Sequence, residues 1–181
     1  MELRGKNVLL GVTSGVAIHK ACTLIGRLKH MGATVRVIMT KNATELITSK
    51  HFGNLSGYPV AVDTFEDPPE YDVHHISLAN WADVVLVVPA TYNVINKVAT
   101  GIADDMLTTT LAAVPKGTPV VFAPAMNTNM WVKPVLQRNI DQMKADGYYF
   151  IDPVSGMLAC GVVGEGKMAE SAAITEFISD I

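Results

Sequence analysis

The sequence is short of cysteine, of clustered charge and of long apolar runs, and each shortage excludes a class of protein. Only Cys22 and Cys160 occur in 181 residues, without CxxC spacing. That excludes a zinc ribbon and a secreted disulfide scaffold and fits a reducing cytoplasm. No second cysteine or close histidine stands near Cys160, so no metal site is expected. The 14 Lys and Arg residues are scattered and the formal net charge is -3. No basic stripe can then neutralise a run of phosphates, and nucleic acid is not an expected partner. The apolar stretch in "MELRGKNVLLGV" is too short for a signal segment and far too short to span a bilayer, so no membrane partner is expected either.

What is present is apolar: 49% of residues are hydrophobic and 17% charged, a composition that suits strands buried on both faces. The length fits one domain, and no repeat, low-complexity tract or linker divides residues 1–181. "NVLLGV" (7–12), "TVRVIM" (34–39), "VVLVV" (84–88) and "PVVF" (119–122) read as buried strands, and "YYFI" (148–151) as a last one. After the first strand Ala17, Ala21, Leu24 and Leu28 recur at helical spacing, with Gly32 as the stop. Further helices are expected over 41–55 (broken by Gly53), 92–100, 105–114, 128–145 and 170–180. Strands alternating with helices in this way define an α/β doubly wound parallel sheet. Residues 152–168, with four glycines and a proline, lack periodicity and read as a functional loop.

In such a sheet ligands bind beyond the carboxyl ends of the strands. The segments to inspect are "GVTSG" (11–15), "TKNA" (40–43), "PATYN" (89–93) and "APAMN" (123–127). Backbone N–H groups at the start of the first helix, with the hydroxyls of Thr13 and Ser14, suit a phosphate. A plainer reading gives Gly11 and Gly15 only a packing role. The turn is GxxxG, and Thr40, Lys41 and Asn42 stand where a dinucleotide fold places an acidic residue for the ribose. A mononucleotide such as FMN therefore fits better than NAD. Thr91 and Asn93 are good helix-capping types, and capping alone would explain them. His74 and His75 precede "ISL", and strand alternation puts His75 and Ser77 on one face. Cys22 reads as a small core residue. Cys160 lies between glycines in the aperiodic loop, where a thiol serves as nucleophile, metal ligand or proton donor.

Three stretches, "HHISLANWAD", "PAMNTNMW" and "LACGVVGEGKMAE", together resemble the homo-oligomeric flavin-containing cysteine decarboxylases over nearly the whole chain. The resemblance implies a flavodoxin-like fold as a single stand-alone decarboxylase domain over 1–181, with residues 152–168 as a clamp over a small-molecule substrate. It also implies bound FMN and a homotrimer or a higher assembly of trimers. The family usually reads GVTGS where this chain reads "GVTSG". FMN would be held by Gly11, Thr13, Ser14, Gly15, Thr40, Thr91, Asn93, Thr108, Ala125 and Met126. The substrate would meet Asn127, Met130 and Lys167. His75 would be the catalytic base or orienting group and Cys160 the acid of a closing reductive step.

These roles have a chemical reason. A cysteine carboxylate does not lose CO2 readily, because the carbanion left behind has nowhere to delocalise. Oxidising the side-chain thiol to a thioaldehyde places a C=S group β to the carboxylate, and that group takes up the electrons. The nearest rival, a peptidyl-cysteine decarboxylase, stops at the enethiol and has no need of Cys160. A non-catalytic regulatory subunit of this family would carry an acidic tail, which this sequence lacks. A plain electron carrier would have no use for "PAMNTNMW". Trp131 reads as a packing residue of the site wall or of a subunit contact.

Overall fold

The computed structural model describes residues 3–65, 73–159 and 161–181. Five strands, β1 (Asn7–Val12), β2 (Thr34–Met39), β3 (Val84–Ala90), β4 (Val120–Pro124) and β5 (Tyr149–Phe150), form a parallel sheet in the order β2-β1-β3-β4-β5. This order is that of the flavodoxin-like doubly wound fold. Every residue of β3 and of β4 is buried, as helices covering both faces of a parallel sheet require.

The alternation of side chains along each strand divides the interior in two. Val8, Leu10 and Val12 of β1 face one layer, with Ala21, Leu24, Ile25 and Leu28 of α1 (Ile18–His30) and Ile174 and Ile178 of α9 (Ser171–Asp180). Leu9, Val85, Val87 and Phe122 face the other. That layer is covered by α4 (His74–Trp81), α5 (Tyr92–Ala99), α6 (Met106–Ala113) and α8 (Pro134–Ala145). Each fully buried Leu or Phe contributes about 1.5–3 kcal/mol of transfer free energy, so these two layers dominate the stability of the domain.

Four local expectations differ from the structure. The helix over 41–55 is two helices, α2 (Lys41–Thr44) and α3 (Ser49–Ser56). The break lies before Thr48, whose hydroxyl accepts from His51 N at 3.3 Å and starts α3. Gly53 is inside α3, and the stop is Gly57 at φ 90, a left-handed position that glycine takes without penalty. The helix over 128–145 is divided into α7 (Thr128–Trp131) and α8 by Pro134, which cannot donate to the preceding turn and occupies the first position of the new helix.

His74 and His75 begin a helix rather than a strand, so the expected alternation of His75 and Ser77 against Ile76 and Leu78 does not apply. The aperiodic stretch 152–168 contains an antiparallel hairpin, β6 (Val154–Met157) and β7 (Val163–Lys167), pairing Gly156 with Gly164. Most of its residues are exposed, so it carries no apolar alternation from which a strand could be read.

Phe122 is fully buried and its ring lies 5.2 Å from Phe150 (stacked) and 5.8 Å from Tyr148 (edge-on). Phe122→Ala is expected to lower unfolding stability by about 3–5 kcal/mol, measured by urea denaturation. A loss below 1 kcal/mol would contradict this account of the layer.

Candidate active site

Two cavities open at the carboxyl end of the sheet. The first, about 190 Å³, is lined by Thr13 and Ser14 after β1, Thr40, Lys41 and Asn42 after β2, and Thr91, Asn93 and Val94 after β3, with Lys97 and Asp105. Thr13 is buried and its hydroxyl donates to the Pro89 carbonyl at 2.6 Å, which ties the ends of β1 and β3 together. Thr91 Oγ1 accepts from Val94 N at 3.4 Å and caps α5. The side chains of Ser14, Thr40 and Asn93 make no hydrogen bond to another described residue, so they remain available to a ligand.

The glycines of the first turn do have the packing role. A Cβ at Gly11 would stand 2.6 Å from Leu107 Cδ1 of α6, and one at Gly15 3.1 Å from Pro89 Cγ. Thr108 is buried and lines neither cavity. Its backbone N–H donates to Asp105 Oδ1 at 2.8 Å and its hydroxyl accepts from Asp105 N at 3.2 Å, a reciprocal cap of α6. Lys97 donates to Asp104 at 2.6 Å and lies 3.4 Å from Asp105. The hydrogen bond with Asp104 raises the Lys97 ammonium above its ordinary pKa, and its counterpart lowers Asp104. Lys97 is thus compensated, and Lys41 is the exposed cation at this cavity.

The second cavity, about 280 Å³, joins Ala125, Met126 and Asn127 after β4 to Val16, Ala17 and His19 at the start of α1, and to Leu158, Ala159, Gly166 and Lys167 of the hairpin. The hairpin reaches this place because its backbone docks on the turn after β4. Met126 N donates to Gly166 O at 3.0 Å, and Thr128 Oγ1 donates to Glu165 O at 2.7 Å. A Cβ at Gly166 would collide with the Met126 carbonyl oxygen, and one at Gly164 with Thr128 Oγ1. Two glycines therefore permit backbone to lie against the turn. Lys20 holds the outer end, donating to Met168 O at 3.2 Å and to Glu170 Oε1 at 2.8 Å. That hydrogen bond is the main reason the Glu170 carboxyl lies below its ordinary pKa.

Asn127 caps α7, its Oδ1 accepting from Asn129 N at 2.8 Å. Met130 is exposed on α7 and lines neither cavity, whereas Trp131 is half-buried against the layer beneath α8. His75, half-buried in the first turn of α4, also lines neither cavity. Cys160 lies outside the described residues; its sequence neighbours Leu158 and Ala159 line the second cavity. Cys22 packs against the core, and burial pushes its thiol above the ordinary pKa. Among the described residues no group of three or more His, Cys, Asp or Glu could hold a metal ion, and no helix is long and apolar enough to cross a membrane.

His19, Lys20, Lys97 and Asp105 were not among the residues singled out from the sequence. Helical periodicity identifies the buried side of α1, but only the docked hairpin shows that His19 and Lys20 face β7 and its continuation. A roomier cavity, about 480 Å³, lies among the segments that precede β4 and β5, lined by Pro115, Thr118, Asp146 and Tyr148 among others. It is at the end of the sheet where open α/β folds do not place their ligands.

The fold is a flavodoxin-like α/β domain, and the chain belongs to the flavoprotein family, whose model matches residues 1–181. Among curated proteins it is similar to the coenzyme A biosynthesis bifunctional protein CoaBC of Bacillus subtilis (strain 168). Identity is 49% over 168 residues, covering 93% of this chain and 41% of that protein. The chain therefore spans less than half the length of this relative. Among solved structures it is similar to a cysteine-to-serine mutant of PPC decarboxylase complexed with pantothenoylaminoethenethiol, with TM-score 0.84, 30% identity and 97% of each chain covered. It is also similar to the FMN-dependent cysteine decarboxylase SpaF, with TM-score 0.84, 33% identity and 98% of each chain covered.

Gly166 has φ 123 and no room for a Cβ against Met126. Gly166→Ala is expected to detach the hairpin and to destabilise the protein by more than about 1 kcal/mol. Hydrogen exchange at the Met126 amide reports the detachment; unchanged protection there would contradict the docking described.

Proposed function

We propose that this protein is an FMN-dependent decarboxylase that converts 4'-phospho-N-pantothenoylcysteine to 4'-phosphopantetheine, a step of coenzyme A biosynthesis in the cytoplasm. The observation that carries the reading is the pairing of two adjoining sites at one sheet edge. One is a hydroxyl- and amide-lined cavity, and the other is a largely apolar cavity bounded by Asn127 and a docked hairpin. The similarity to CoaBC and to PPC decarboxylase over nearly the whole chain supports it.

The donor set fits FMN. Ser14, Thr40, Thr91 and Asn93 present hydroxyls and an amide, and Lys41 a cation, to the first cavity, matching a phosphate ester and a polyol chain. Gly11, Gly15 and Thr108 serve the cofactor indirectly, by letting the strand ends, α6 and the first turn pack closely. Ala125 and Met126 form the apolar wall. When bound, FMN supplies the two-electron oxidation of the substrate thiol and returns the pair after CO2 has left, so no nicotinamide is consumed.

The protein's own groups position the substrate and move protons. Asn127, fixed as a helix cap, holds the substrate carboxylate or amide through its side-chain donors and acceptor. His75 takes or orients the thiol proton of the substrate. Cys160 returns a proton to the carbon that lost CO2, giving the saturated thiol. The hairpin excludes water from the second cavity. His75 lines neither cavity of its own chain, which supports a site completed between subunits, in a homotrimer or an assembly of trimers. Val16, Met130, Val132 and Val135 are exposed and would supply apolar surface for that contact.

A second reading, oxidative decarboxylation of a peptide's C-terminal cysteine, is favoured by the similarity to SpaF. Cys160 speaks against it, since a reaction ending at the enethiol needs no such acid.

The purified protein is expected to carry FMN and to release CO2 from phosphopantothenoylcysteine without added nicotinamide. A protein unable to take up FMN would falsify the reading. Cys160→Ser is expected to release CO2 yet accumulate the enethiol, followed by mass spectrometry. Normal yields of phosphopantetheine from that variant would remove Cys160 from the mechanism, and turnover of a cysteine-terminated peptide in preference would establish the second reading.

A further inference from the structure

The second cavity is apolar along most of its wall, with Val16, Ala17, Ala125, Met126 and Leu158, but His19 and Lys167 also line it. They belong to a small charged cluster that the fold brings together from α1 and from the end of β7. Lys20 and Lys167 lie 2.8 Å and 4.0 Å from the same Glu170 carboxylate oxygen, and His19 is close enough to act on that carboxyl electrostatically. Glu170 is shared by the two lysines, and its short contact is with Lys20. Lys167 reaches Glu170 only at 4.0 Å and lines, with His19, an otherwise apolar cavity.

His19 is tied to the turn that precedes its helix. Its Nδ1 lies 3.1 Å from the Val16 carbonyl, so Nδ1–H donates there and Nε2 is left for a ligand. The His19 ring and the ammonium of Lys167 thus line the same cavity. This is a pair suited to a phosphomonoester.

The reacting carboxylate is the poorer candidate for these cations. A carboxylate held in an ion pair is stabilised in the ground state, whereas the group leaves as neutral CO2, so a cation at that position would slow the reaction. The neutral amide of Asn127 is the better partner for that end.

We propose that His19 and Lys167 recognise the terminal phosphate of the substrate and so set the preference for a phosphorylated pantothenoyl compound. The proposal rests on the decarboxylase reading above. Glu170 is a positioning residue in this arrangement, fixing Lys20 and with it the end of β7.

The test uses the FMN-loaded protein and titration calorimetry with two unreactive probes, 4'-phosphopantothenate and pantothenate. The native protein is expected to prefer the phosphorylated probe. His19→Gln and Lys167→Met are each expected to cut that preference by about tenfold, and the double variant to abolish most of it. Lys167→Arg should retain it. FMN affinity, measured separately by fluorescence, should stay within twofold, because the cofactor phosphate is bound elsewhere. Variants that keep the full preference overturn the proposal, as do variants that lose FMN, since the cations then serve the cofactor phosphate. If the native protein decarboxylates phosphopantothenoylcysteine but the variants keep their preference, only this inference fails. If the native protein binds neither probe and turns over no substrate, the decarboxylase reading fails with it.

Discussion

The docking of β7 on the turn after β4 is the contact on which the second cavity depends. Two hydrogen bonds, Met126 N to Gly166 O and Thr128 Oγ1 to Glu165 O, join the hairpin to the sheet edge. They form only because residues 164 and 166 have no Cβ. Without this contact Asn127 would face open solvent, and Leu158 and Lys167 would have no fixed place. The sheet supplies the platform, and the hairpin gives the row of strand ends a second wall.

Burial on both faces of the parallel sheet is the second constraint, and it explains where the polar groups stand. Strands as apolar as β3 and β4 leave their polar side chains to the residues just beyond the carboxyl ends. There Thr13, Thr91 and Asn127 first satisfy local backbone groups. Ser14, Thr40 and Asn93 follow or neighbour them without such duties. Residues that secure the backbone thus alternate with residues open to a ligand.

The continuous apolar runs made the sheet legible in the sequence, because a strand buried on both faces has a simple signature and its length is bounded by the turns. Helix divisions at Thr48 and Pro134 were less legible, since helical spacing continues across a cap and only the backbone shows the break. The hairpin was not legible as such: its strands are exposed and glycine-rich, and its shape comes from docking rather than from its own pattern. The strand-end segments that hold Thr13, Thr40, Thr91 and Asn127 follow from topology, whereas a role for Asn127 came from the family resemblance. His19 and Lys167 line one cavity because Lys20 of α1 ties down Met168 and Glu170 after β7, a link that no local pattern encodes.

A redox-neutral decarboxylation at this sheet edge is the central proposal. The most direct measurement is anaerobic stopped-flow absorbance of the FMN-loaded protein mixed with phosphopantothenoylcysteine and no other reductant. The account predicts that the oxidised-flavin band bleaches as CO2 is released and then recovers fully. A band that never changes while substrate is consumed, or that bleaches and stays bleached until an external acceptor is added, would contradict it.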